Sequence, residues 1–244
     1  FDWNLVMETY AGTVSGVPQD CYDQCHAAVT AALTDYKIAV LNGTDLPDDV
    51  VLFSLTSYEV NQAHLQQLSH QKRVWWEPTH IDHPPHIHPF VIDRPGIESR
   101  YLPWLAWLDR VDGLYSRQSV DWDPDPWTNP FSNGMNNGNG FLFYPPKDNT
   151  LGFNPCIARS NRLIPSIRLE LLREGLDDVT YFWLLNQGQP DINQGNPADA
   201  FIRTAIGSRT LVNRIPTAFD TIRQALGQEL ASRQQRIYLP ILIH

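Results

Sequence analysis

The chain reads as an α/β protein built on parallel strands with crossover helices, and two observations lead there. Short runs rich in β-branched and aromatic residues alternate with stretches of helical spacing. Five such runs occur before residue 117, too few for a (β/α)8 TIM-type barrel but a match to its second half, so strands four to eight are expected. Phe1 is not Met and the first residues already read as a buried strand, which makes the chain look like a piece of a longer protein.

Asp2 to Glu8 is the first run, and the Ala-rich stretch Cys21 to Leu33 is the helix that leads into the strand Lys37 to Leu41. The unit then repeats: strand Val50 to Leu55, helix Ser57 to Ser69 with Ser57 as a cap, strand Arg73 to Trp76. A Pro- and His-rich loop follows, then an apolar helix Arg100 to Leu108 and a fifth strand Val111 to Ser116. The loop 117–139 carries Trp122, Trp127 and an Asn/Gly cluster; a connection this long in a compact domain usually has a function. Pro165 precedes a helix Ser166 to Leu185, whose residues Ile167, Leu171, Leu172, Leu176, Val179, Phe182 and Trp183 form the expected core stripe. Helices Ala198 to Thr210 and Pro216 to Arg236 close the chain as a cap, and Tyr238 to Ile243 reads as an edge strand or a frayed end. Two parts are therefore expected, a barrel portion over 1–185 and a helical extension over 186–244.

At 244 residues, 42% of them hydrophobic and 11% aromatic, the chain can bury a large core. A net charge of −9 without a basic run argues against nucleic acid as a partner and suits a neutral ligand such as a sugar. No stretch approaches the roughly 18 apolar residues of a membrane span, and no signal-peptide pattern opens the chain. Localisation is not readable from the chain; a secreted or periplasmic destination stays open, with the targeting segment outside this sequence. Cys21, Cys25 and Cys156 lack paired CxxC spacing and read as helix-surface or core thiols. His80, His83, His86 and His88 sit in a Pro-rich loop without an HExxH arrangement, which favours a polar rim over a metal site; neither a metal nor a cofactor is expected.

Five ordered motifs carry a resemblance: Arg73-Val74-Trp75-Trp76, the segment Pro95 to Trp107, Val111 to Tyr115, Asn137-Gly-Asn-Gly-Phe-Leu-Phe-Tyr-Pro145, and Pro165 to Leu185. In this order they resemble the closing part of the glycoside hydrolase family 123 catalytic domain. The resemblance implies a barrel glycosidase that releases N-acetylgalactosamine by substrate-assisted catalysis. It further implies an Asp-Glu pair at the end of the fourth strand, the Asp orienting the substrate amide and the Glu acting as general acid. This chain has Met7-Glu8 there, and a thioether is a poor acceptor for an amide N–H.

Glu8 is thus the candidate general acid, or a solvated strand end. Glu77, directly after the strand that resembles the family's seventh, is the candidate nucleophile, or a loop carboxylate. Aromatic faces bury the C–H face of a pyranose, which makes Trp76, Tyr115, Trp122 and Trp127 candidate sugar contacts. Alternation forbids Trp75 and Trp76 from facing the same side, so one of them belongs to the core. The charged set Arg168, Glu170, Arg173, Glu174, Asp177 and Asp178 reads as helix-fixing architecture. The expected function is a glycosidase-like action on carbohydrate; the alternative is a carbohydrate-binding or scaffold protein without turnover.

Overall fold

The computed structural model describes residues 4–8, 39–41, 48–55, 72–78, 84–116, 126–131, 137–139, 141–144, 163–186 and 196–238. The expected helices Cys21 to Leu33 and Ser57 to Ser69, all three cysteines, His80, His83, Trp122 and the closing run 239–243 lie outside them.

All five expected strands form: β1 Asn4–Glu8, β2 Ala39–Leu41, β3 Val50–Phe53, β4 Arg73–Trp76 and β5 Gly113–Ser116. They make one parallel sheet in the order β2-β1-β5-β4-β3. Followed as a ring, this order is sequential, with a joint between β5 and β1 and a gap between β2 and β3. The described strands thus form an open sheet rather than a closed barrel. Strands four to eight of a barrel would put β1 and β5 at opposite ends of an arc, with three strands interposed to complete a ring of eight. Here the two pair directly, Asn4 to Met7 against Gly113 to Ser116. Pairing satisfies the N–H and C=O groups that each strand would otherwise expose at an edge.

Helix α1, Ile97–Leu108, links β4 to β5 and begins three residues earlier than its apolar pattern suggested. The reason is Glu98, a fully buried carboxylate in the first turn. It accepts from the His88 N–H (2.9 Å), from Arg94 (2.7 and 3.1 Å) and from Arg214 (2.8 Å). A charge that would be costly to bury alone is matched on every side.

Phe143–Tyr144 (β6) and Ile164–Pro165 (β7) form a two-stranded antiparallel pair that feeds α2, Ile167–Leu185. Ser166 caps α2, its side chain accepting from the Leu169 N–H. The buried stripe of α2 is rotated from the expected one. Ile167 is 68% exposed, and the inward residues include Arg168, Leu172, Gly175, Val179 and Phe182.

The next helix, α3, runs only over Pro197–Ile202, much shorter than Ala198 to Thr210. Beyond it the chain turns at Gly207 and Ser208: the Gly207 N–H donates to the Leu211 carbonyl (2.9 Å), and Ile206 bridges Val212. The Ser208 side chain accepts from the Leu211 N–H (3.1 Å), a local bond that competes with helix propagation. Helix α4, Pro216–Tyr238, follows.

One hydrophobic core joins the sheet to all four helices. Trp76 and Leu114 from the strands meet Tyr101, Trp104 and Leu105 of α1, Leu172 and Phe182 of α2, Ile202 of α3, and Phe219 and Leu226 of α4. Helices after residue 186 therefore share the core of the portion before it. On the opposite face, Trp75 and Tyr115 pack together with Val50 and Leu52.

Candidate functional site

The C-terminal ends of the parallel strands gather the residues that could do chemistry. Glu8 is the last residue of β1, one beyond the Met7–Ser116 pair. Glu77 follows β4 directly; its N–H donates to the Phe53 carbonyl (2.9 Å) and its side chain is half-buried. Both strands flank β5. Their backbones are therefore about 10 Å apart across the sheet, with Glu8 about 7 Å farther along. Trp76 pairs with Leu114, which sets Glu77 level with Tyr115, and Tyr115 pairs with Val6. Two acids on either side of one strand can serve a ligand lying over that strand.

The aromatic candidates separate. Trp76 is 0% exposed and enclosed on the helix side of the sheet, so its ring offers no face to a ligand. Trp75 and Tyr115 lie on the other side, the face away from α1, and pack against each other, both buried, so the Tyr115 ring likewise offers no open face to a ligand. Alternation had already assigned one of the two tryptophans to the core, and Trp76 is that residue. Trp127 is 39% exposed and leans on Tyr144, with ring centroids 4.9 Å apart and planes at 45°.

Residues 84–96, between β4 and α1, are joined to residues 137–139, after β5. The Asn137 carbonyl accepts from the Ile92 N–H (2.8 Å), and the Asn137 side chain donates to Asp93 (3.0 Å). The Gly138 N–H donates to the Pro130 carbonyl (2.6 Å). Gly138 adopts φ 75°, where a side chain would be strained, and a Cβ there would stand 2.5 Å from Ile92.

Beneath both segments lies Arg168, only 4% exposed. It donates to the carbonyls of Phe90, Gly138 (2.7 Å) and Phe141 (2.6 Å). Burial pulls its pKa below the usual guanidinium value, and Tyr144 counteracts this. Sequence reasoning had placed Arg168 with the helix-fixing charges. Its place in the spacing 168, 172, 175, 179, 182 of a buried stripe was the available sign of something more specific.

Of the four histidines in the Pro-rich loop, His86 and His88 fall among the described residues. His88 is buried with its N–H on Glu98, and His86 offers its carbonyl to Arg94. Among the described residues no three His, Cys, Asp or Glu side chains are grouped to hold a metal. None of the described helices is long and apolar enough to cross a membrane.

No protein family profile matches the chain. No curated protein matches it either. Among solved structures, it is similar to a family 123 glycoside hydrolase from Clostridium perfringens whose description concerns glycolipid glycan hydrolysis. The TM-score is 0.51 at 17% identity, over 79% of this chain and 34% of that one. The chain thus spans about a third of the length of that enzyme, and the likeness is one of fold.

Proposed function

We propose that the chain is a glycoside hydrolase-like α/β protein that acts on a carbohydrate at the strand C-termini. The observation that carries this reading is the placement of Glu8 and Glu77 at the same end of the sheet, on the two strands flanking β5. Likeness in fold to a family 123 enzyme, together with the five ordered motifs, supports the same class.

In this reading Glu8 protonates the leaving-group oxygen, and Glu77 is the opposing carboxylate that stabilises or attacks the anomeric carbon. Trp122 and Trp127 are the proposed sugar contacts, and a β-linked amino sugar such as N-acetylgalactosamine is the proposed substrate. Met7 stands where an amide-orienting Asp would be, so the acetamido group lacks its carboxylate partner. That residue also favours the second reading, a protein that binds carbohydrate without turnover.

A panel of chromogenic β-glycosides, including the N-acetylgalactosaminide, tests both. Glu8→Gln is expected to lower turnover by about 10²-fold or more, and Glu77→Gln likewise. A wild type that hydrolyses none of the panel yet binds the free sugars rejects hydrolysis and leaves the binding protein.

A further inference from the structure

We propose that Arg168 is the positioning residue of this mouth, holding Trp127 and Tyr144 as one ligand-binding face by latching two segments to the first turn of α2. The inference rests on the carbohydrate reading above and adds a residue to it. Two routes connect Arg168 to Trp127. One runs through the Phe141 carbonyl (2.6 Å from Arg168) to Tyr144, three residues on, against whose ring Trp127 leans at 4.9 Å. The other runs through the Gly138 carbonyl (2.7 Å from Arg168) to the Gly138 N–H and the Pro130 carbonyl (2.6 Å), three residues after Trp127. Together they close a ring with the guanidinium as its keystone.

The chemistry requires arginine. Its planar fork aims several N–H donors at once, and here they reach carbonyls in both segments: Phe90 after β4, and Gly138 and Phe141 after β5. A lysine ammonium is a single charged point and cannot span them. The fit is also tight, since a Cβ on Gly138 would stand 2.8 Å from the Arg168 Nη1. Helix-fixing alone would need a carboxylate or a helix neighbour as partner, as Arg173 has in Glu170, Glu174 and Asp177. Among the described residues, Arg168 instead has its hydrogen-bond partners in the segments after β4 and β5.

Two measurements on Arg168→Lys test this. Without any sugar, amide hydrogen exchange is expected to speed up at Ile92 and Gly138 while the amides of α1 and the middle of α2 keep wild-type protection. Unchanged exchange at Ile92 and Gly138 overturns the latch whatever the ligand proves to be. Calorimetric titration with the methyl β-glycosides of N-acetylgalactosamine, galactose and N-acetylglucosamine then forms a double-mutant cycle with Trp127→Ala. Trp127→Ala and Arg168→Lys are each expected to weaken binding by about tenfold, and the double variant by no more than either. Losses that multiply, or an Arg168→Lys protein that binds as wild type, overturn the proposal. Should Arg168→Lys fail to fold, Gly138→Ala replaces it in the cycle, because its Cβ would stand 2.8 Å from the Arg168 Nη1 and displace the fork, with an expected loss of about threefold that vanishes in the Trp127→Ala background. A wild type that shows the exchange behaviour but binds none of the three sugars removes the carbohydrate reading and leaves only the latch.

Discussion

Arg100 and Asp178 meet between α1 and α2, where the carboxylate is fully buried and accepts from the guanidinium at 2.8 and 3.2 Å. The Trp104 indole donates to the same group (3.0 Å), and Arg223 approaches at 3.4 Å. Burial pushes the Asp178 pKa up, and Arg100 opposes it most strongly. Such a pair fixes how two helices meet more than it stabilises them, because desolvation offsets much of the attraction. Removing one partner is another matter. Arg100→Met is expected to cost about 3–5 kcal/mol, read from urea unfolding, while Arg100→Met/Asp178→Leu recovers most of that loss. At this scale the sequence was legible in kind but not in partner. Arg168, Arg173 and Asp178 were all visible as charges on one helix, and the Arg173 contacts with Glu170 and Asp177 followed from helical spacing. The partners of Arg168 and Asp178 lie 27 to 78 residues away, and spacing within a helix carries no information about them.

Gly175 shows why α1 and α2 pack as they do. A Cβ on it would stand 2.6 Å from the Arg100 carbonyl and 3.1 Å from the Pro103 ring, so the helices meet where one has no side chain. Alanine raises helix propensity by about 1 kcal/mol relative to glycine, yet here the added methyl meets backbone that can move only if the helices part. Gly175→Ala is expected to destabilise by about 1–3 kcal/mol in thermal or urea unfolding, with the propensity gain overwhelmed. A variant more stable than wild type would mean that the helices separate freely. Elements were well read where periodicity is long and unbroken: β1 to β5, α2 and α4 fall close to their expected spans. Reading failed at α3, where Gly207 and Ser208 stop an apolar pattern that looks helical. Periodicity also could not supply the β1–β5 pairing, because a strand's alternation states which faces it has and not which edge it meets.

Across the whole molecule, the sheet divides two kinds of demand. On its helix side a single core runs from Trp76 and Leu114 through α1 and α2 to Phe219 of α4. The other face has the smaller Trp75–Tyr115 cluster, and the strand ends carry Glu8, Glu77 and the segments that Arg168 ties together. Stability and ligand binding should therefore separate by location. Trp76, fully enclosed, belongs to the packed core, and Trp76→Ala is expected to cost about 3–5 kcal/mol of unfolding free energy. The more conservative Trp76→Phe should bind the methyl glycosides with wild-type affinity at temperatures where it is folded. Trp127→Ala, at an exposed ring, should leave the unfolding midpoint within about 0.5 kcal/mol of wild type while losing affinity. If Trp76→Phe lost sugar binding while folded, the helix-side core would be reaching the mouth, and the two faces of the sheet would be coupled rather than separate.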